Sequence, residues 1–123
     1  MTEKHEYEVI FYKREDGHSP TDDFLDNLSS KERAKVEKWI EQLEIYGPNL
    51  PRPFADTIRG KIRELRIRFG NQHYRLLYFF FGKMIVVTHG FVKRARAIPE
   101  EELIRGIRFM NDFIQRTAED GGA

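Results

Sequence analysis

The stretch that decides the fold is residues 62–92, IRELRIRFGNQHYRLLYFFFGKMIVVTHGFV. Over the first eight positions of this stretch, apolar and polar side chains alternate, which is typical of a β-strand with one buried face. The segments 74–81 and 84–92 are rich in aromatic and β-branched residues, which favour strands. Two short turn signals separate the three segments, Gly70-Asn71 and Gly82-Lys83. The stretch therefore predicts three consecutive antiparallel strands.

The residues that precede this stretch predict one strand and two helices. Alternation from His5 to Tyr12 indicates the strand. Ser19-Pro20 supplies an N-cap and a first-turn proline for a short helix. Ser29 and Glu32 form a capping box for a second helix, which Gly47-Pro48 ends. We expect these helices to form a hairpin on the sheet, followed by an extended, proline-containing connection from Asn49 to Asp56.

The residues that follow the stretch predict a last helix. It opens at Pro99 with three glutamates, which suit a helix N-terminus. Its apolar residues recur at helical spacing and form one stripe, which consists of Leu103, Ile107, Met110 and Ile114. From Thr117 onward the chain is polar. We therefore expect one α+β domain over residues 1–118 with a polar tail at 119–123. Its element order is β-α-α-β-β-β-α around a small antiparallel sheet.

Composition narrows the chemistry that this chain can perform. The 123 residues include no cysteine, which excludes disulfides, thiolate metal sites and a cysteine nucleophile. The four histidines lack HxH or HxxxH spacing, and no glycine-rich phosphate motif occurs, so we expect no metal and no cofactor. The longest apolar run is too short to span a membrane and residues 1–12 are too charged for a signal peptide. We therefore expect a cytoplasmic protein without membrane contact.

The net charge of +1 hides an uneven distribution along the chain. Residues 1–57 carry eight basic and thirteen acidic side chains, whereas residues 58–123 carry thirteen basic and seven acidic ones. Between Arg59 and Arg96, ten basic residues accompany a single acid, Glu64. Such a segment is a candidate for polyanion binding. The alternative is a solvated surface whose lysines and arginines cover apolar neighbours.

The first turn sets which basic residues share a face of the sheet. If Gly70-Asn71 is a two-residue turn, Arg66 lies opposite Arg75 and Arg68 lies opposite His73. Like charges opposite each other destabilise a sheet unless they reach water or hold an anion, and guanidinium groups are suited to phosphate. Lys93 and Arg94 leave the third strand near this turn. One concave end of the sheet is thus expected to gather all six side chains.

The second turn predicts the placement of the remaining histidine of the sheet. A two-residue turn at Gly82-Lys83 sets Thr88 beside Leu77 and Gly90 beside Arg75. His89 then lies on the opposite face from Arg75, and we interpret it as a structural histidine. The run of Phe79, Phe80 and Phe81 has two interpretations, a platform for stacking bases or, as we favour, core packing.

Four motifs together resemble a known family. They are ELRIRFG at 64–70, HYRLLY at 73–78, HGFVKR at 89–94 and Pro99-Glu100, preceded by VIFY at 9–12 and Phe24-Leu25. In this order and spacing they resemble the phage-derived HigB-like branch of the RelE/ParE toxin superfamily. The resemblance implies a RelE-type fold and the toxin of a type II toxin–antitoxin system, a ribosome-dependent mRNA endoribonuclease. The implied partners are the ribosome, mRNA and a cognate antitoxin, a small helix-turn-helix protein.

The resemblance also assigns roles to residues. Arg75 matches the arginine that stabilises the transition state, Arg66 and Arg68 match basic phosphate ligands or a base, and Lys93-Arg94 matches a basic pair. Arginines are poor bases, so Lys93 and His73 are the titratable candidates, of which we favour Lys93. The C-terminal tyrosine that stacks on a base in some toxins has no match here. The other expected RNA-binding residues are Arg59, Lys61, Arg63, Lys83 and Arg96.

Two further functions are compatible with the sequence. One is a non-catalytic RNA- or protein-binding module of phage origin, which would bind ribosomes but leave message intact. The other is a gyrase-inhibiting toxin, which would arrest growth with DNA damage rather than loss of message.

Overall fold

The computed structural model describes residues 6–94 and 96–121, so His5 lies outside the described residues. The elements, in chain order, are β1 (Glu8–Phe11), α1 (Pro20–Asp26), α2 (Ser30–Tyr46), a 3-10 turn (Gly47–Asn49), β2 (Ala55–Arg59), β3 (Ile62–Phe69), β4 (Gln72–Phe81), β5 (Met84–Val92) and α3 (Glu100–Gly121). The predicted order lacked one strand, β2. Helix α3 continues through Thr117 to Gly121, where we expected a polar tail.

The predicted helix starts are confirmed. The Ser19 side chain accepts a hydrogen bond from the backbone N–H of Asp22, and Pro20 opens α1. Ser29 and Glu32 form the expected capping box of α2. Gly47 ends α2 with φ of +52°, and the ring of Tyr7 packs so close that a Cβ there would lie 2.6 Å from it. Only glycine satisfies both constraints.

The sheet is mixed rather than antiparallel, with strand order β1-β5-β4-β3-β2. Strands β2 to β5 pair antiparallel, but β1 runs parallel to β5 at one edge. The expectation of an antiparallel sheet was wrong here because alternation identifies a strand and not the direction of its partner. Two helices and three strands separate β1 from β5 in the chain, so no tight turn forces these two strands to run antiparallel.

Strand β2 occupies the other edge, where we expected an extended connection as far as Asp56 and no strand. It pairs with β3 from Ala55 onward, and its register shifts between Thr57 and Arg59. Its composition concealed it, since a five-residue strand with three polar side chains carries a weak periodic signal. Exposed, short and irregular strands are common at sheet edges.

The predicted register of the first hairpin is confirmed. The predicted register of the second hairpin holds from its turn as far as the pair Tyr78–Val87 and is wrong beyond it. Arg66 pairs with Arg75 and Arg68 with His73, as the two-residue turn requires. In the second hairpin the register shifts between Leu77 and Tyr78, because Thr88 forms a bulge. Beyond the bulge, Leu77 pairs with His89 and Arg75 with Phe91.

The two faces of the sheet are covered by different helices. The predicted helical hairpin is not confirmed, since α1 packs against β5 and α2 against β3. The core on this side includes Leu25, Val36 and Leu43. On the other face α3 packs with Phe109 and Leu103 over separate apolar clusters.

The phenylalanine run is core, as we favoured: Phe79 contacts Phe113 of α3, and Phe80 contacts Tyr7 and Tyr78 on the other side. No helix of the described residues is long and apolar enough to cross a membrane.

Candidate active site

A shared carboxylate holds the two facing arginines of β3 and β4. Glu64 precedes Arg66 by two positions on the same face and is only 4% exposed. Its Oε1 accepts from Nε of Arg75 at 2.9 Å, and its Oε2 accepts from Nε of Arg66 at 2.8 Å. This role of Glu64 was not predicted from the sequence, although its position two residues before Arg66 on one strand was a signal for it. The like-charge repulsion is thus offset by a buried counter-charge.

Arg75 is the most enclosed of the predicted site residues, with an exposed fraction of 7%. Burial lowers its pKa, but a guanidinium stays charged in proteins. Nη1 donates to the carbonyl oxygen of Tyr74 at 3.3 Å. Within the described part of the chain, the Arg75 guanidinium thus donates from Nε to Glu64 and from Nη1 to the backbone of Tyr74.

Arg66 is anchored from two strands. Besides Glu64, its Nη2 donates to Oδ2 of Asp56 on β2 at 3.2 Å. The edge strand that the sequence concealed therefore fixes one of the predicted site residues. Two carboxylates and two guanidinium groups form a connected network, and such a network orients its members more strictly than a single pair does.

The first groove lies beside this network and has a volume of about 440 Å³. It is bordered by β2, the α3 N-terminus and the segment that joins β5 to α3. The predicted site residues that line it are Arg59, Arg66, Arg75, Lys93 and Arg96. Arg59 is engaged across the groove by Glu100, to which it donates two hydrogen bonds of 2.9 and 3.3 Å.

Lys93 provides a candidate general base in the first groove. Its backbone N–H donates to the carbonyl oxygen of His73 at 2.7 Å, so β4 holds the chain here just beyond β5. The position of Lys93 near the first hairpin is therefore confirmed. Burial, and then the positive charge of Arg75, lowers the pKa of the Lys93 ammonium. A lysine with a lowered pKa is a better general base at neutral pH.

The remaining candidates do not join this groove. Arg68 and His73 line a second groove of about 420 Å³, which Arg66 and Arg75 also border. Arg94 is exposed and lines neither groove. Arg63 lies on the opposite face from Arg75, where it donates to the Tyr78 hydroxyl. Lys61 lies in the β2–β3 turn, and Lys83 in the β4–β5 turn contacts the Tyr7 ring.

His89 lies on the same face as Arg75, contrary to our expectation, because the Thr88 bulge reverses its parity. The structural interpretation is confirmed. Its side chain is 1% exposed, and the ring nitrogens lie 3.0 Å from the Thr88 hydroxyl and 3.1 Å from a Glu102 carboxylate oxygen. Burial, with Arg105 adding to it, lowers the pKa of His89 to about 3. The imidazole is therefore neutral at physiological pH.

Residues 23–111 match the protein family described as phage derived protein Gp49-like (DUF891). The chain belongs to this family. The match covers most of the chain and extends from α1 into α3, so it includes both arginine strands and Lys93.

Two other comparisons accompany the Gp49-like match. No curated protein matches the chain. Among solved structures, the Gp49-like chain is similar to a chain of the archaeal RelE–RelB complex from Pyrococcus horikoshii OT3. The two share 23% sequence identity with a TM-score of 0.49, over 75% of this chain and 99% of that chain.

Proposed function

We propose that this Gp49-like protein is the toxin of a type II toxin–antitoxin system and that it acts as a ribosome-dependent mRNA endoribonuclease in the cytoplasm. The observation that carries the proposal is the first groove. There, Glu64 holds Arg66 and Arg75 side by side next to the Lys93 ammonium, whose pKa is lowered. Forked cations on a rigid sheet are suited to a phosphodiester, and a deprotonated lysine can accept a proton from a ribose hydroxyl.

The proposed reaction needs no metal. Lys93 accepts the proton of the 2′-hydroxyl, the 2′-oxygen attacks the adjacent phosphorus, and the bond from phosphorus to the 5′-oxygen breaks. Arg66 and Arg75 stabilise the negative charge that develops on the phosphorane oxygens. The products are a 2′,3′-cyclic phosphate and a 5′-hydroxyl.

The leaving 5′-oxygen must receive a proton. Besides Lys93 and the arginines, the ionisable side chains among the described residues of the first groove are Glu64 and Glu100, and arginines already bind both carboxylates. His73 belongs to the second groove, and His89 is neutral and enclosed. We propose that the ribosome completes the acid catalysis or orients the message for it. If the ribosome contributes in this way, cleavage depends on translation and free RNA is a poor substrate.

The partner of this toxin is proposed to be a small antitoxin, a helix-turn-helix protein whose acidic side chains neutralise the basic groove. Growth arrest on expression of the chain alone, relieved by coexpression of the neighbouring small open reading frame, tests this. If growth arrest persists although the two proteins form a stable complex, that partner does not neutralise the toxin.

Primer extension on a translated reporter tests the nuclease function. We expect cleavage within the coding region during arrest, and intact message when the start codon of the reporter is removed. Lys93→Met should abolish cleavage, whereas Lys31→Met, an exposed lysine at the start of α2, should leave it unchanged. Intact message during full arrest, with the protein bound to ribosomes, would instead support the non-catalytic module.

A further inference from the structure

The second groove lies between α2 and the open end of β3, and its chemistry differs from that of the first. Trp39 of α2 and Phe54, just before β2, line one part of it. Their rings stack with centroids 4.7 Å apart and planes 23° apart. Phe54 is 38% exposed, although a phenylalanine is usually enclosed. An aromatic pair with an exposed ring is a platform on which another flat ring can stack.

The rest of the second groove is basic. Lys35 of α2, Arg66 and Arg68 of β3, and His73 of β4 line it together with the aromatic pair, and none of the described residues that line it is acidic. A ligand that complements this surface carries both a flat ring and negative charge. A nucleotide has both features, since its base stacks on aromatic rings and its phosphate pairs with guanidinium groups.

The two grooves are joined at the arginine pair, because Arg66 and Arg75 border both. A single RNA strand with its phosphate at these arginines therefore has a neighbouring nucleotide within reach of Trp39 and Phe54. We propose that the second groove is a base-binding subsite that stacks the nucleobase next to the phosphate held by Arg66 and Arg75. The choice of RNA as the ligand rests on the proposed function, but the subsite itself does not require that the protein cleaves the RNA.

Trp39 is the only tryptophan in the chain, so its fluorescence reports on this subsite alone. The probe is a single-stranded RNA hexamer with 2′-O-methyl riboses, which cannot undergo attack by the 2′-oxygen. We expect the hexamer to quench Trp39 fluorescence on binding. A matched hexamer of abasic residues, which keeps the phosphates but has no bases, should bind more weakly and leave the fluorescence unchanged. Equal quenching by both would overturn the subsite.

Substitution of Phe54 tests the platform. Phe54→Ala should weaken binding of the hexamer about 5- to 150-fold, as expected for the loss of one stacked base, without changing binding of the abasic hexamer. Phe54→Tyr should restore it. The control is Ile104→Ala, which removes another exposed apolar side chain, this one from α3, and should have no effect. Unchanged affinity in Phe54→Ala, with an unchanged melting temperature, would overturn the proposal.

A competing occupant is an acidic peptide segment. A hexamer of glutamate should compete with the RNA only weakly and should not quench Trp39, since it has no ring to stack. Competition that Phe54→Ala abolishes would overturn RNA as the occupant. The cleavage assay separates this subsite from the proposed function: quenching without message cleavage retains the subsite, and cleavage without quenching retains the nuclease.

Discussion

At the scale of single residues, Glu64 decides what the two facing arginines can do. The basic segment of the sequence contains one acid, and the structure places that acid, almost fully enclosed, between Arg66 and Arg75. Removal of either arginine leaves the Glu64 carboxylate with a single ion-pair partner. A buried charge that loses a partner destabilises the folded state. Arg75 is therefore both a candidate for chemistry and a structural partner.

Arg75→Ala should abolish cleavage and also lower the free energy of unfolding. Breaking a buried pair costs about 3–5 kcal/mol, and because Arg66 remains bound to Glu64 we expect a loss of about 2–3 kcal/mol. Urea denaturation measures it. The double variant Glu64→Leu, Arg75→Leu should recover stability without recovering activity, because it removes both charges together. If Arg75→Ala is as stable as the wild type, Arg75 has no structural role.

Lys93 should give the cleavage rate a characteristic pH dependence. A general base works in its neutral form, so the single-turnover rate on ribosome-bound message should rise with pH and level off above the lowered pKa of Lys93. Lys93→Arg should remove this rise. In a folded Arg75→Lys variant the positive neighbour remains, so the midpoint of the rise should stay within about one pH unit of its original position. A rate that is independent of pH in the wild type would rule out Lys93 as the base.

At the scale of elements, α3 and β2 meet across the first groove through Arg59 and Glu100. Both side chains are exposed, and the hydrogen bonds from Arg59 lower the pKa of Glu100. Exposed pairs contribute little to stability. The consequence of this pair is that a cation of the predicted RNA-binding set is already occupied by an acid of the same chain.

Glu100→Gln should strengthen RNA binding by releasing Arg59 for a phosphate. We expect the dependence of log affinity on log salt concentration to steepen by about 0.7 for single-stranded RNA. Fluorescence anisotropy at several salt concentrations measures this slope. The matched control is Glu101→Gln, which removes the same charge from the next position of α3, where the side chain is exposed and lines neither groove. An equal change in both variants would show that only the net charge matters.

At the scale of the whole molecule, the basic segment is not one continuous surface. Arg96 and Lys93 border the first groove, whereas Lys83 lies in the β4–β5 turn and Arg63 faces the α2 side of the sheet. The charge excess between Arg59 and Arg96 therefore spreads over both faces and both ends of the sheet. Only part of it can contact one RNA strand.

Two matched substitutions separate these positions. Arg96→Ala should lower the salt slope of RNA binding by about 0.7, because it removes one phosphate contact from the first groove. Lys83→Ala removes the same charge from a distant turn and should leave the slope unchanged. The same anisotropy titrations serve for both variants. A reduced slope for Lys83→Ala alone would relocate the RNA to the β4–β5 end of the sheet.

Features that depend on neighbours in the chain were predictable from the amino-acid sequence. The Gly70-Asn71 turn sets Arg66 opposite Arg75 because a two-residue loop permits one register. The caps at Ser19 and Ser29 act over three residues, so local chemistry is sufficient to locate both helix starts.

Features that depend on distant residues were decided by the tertiary structure. Thr88 is itself a β-favouring residue, yet it bulges within β5, and that single extra residue moves His89 to the face of Arg75. Trp39 meets Phe54 only because β2 extends the sheet beside α2. Periodicity specifies which residues turn inward, but contacts between elements distant in the chain arise from packing of the whole sheet, which no local pattern encodes.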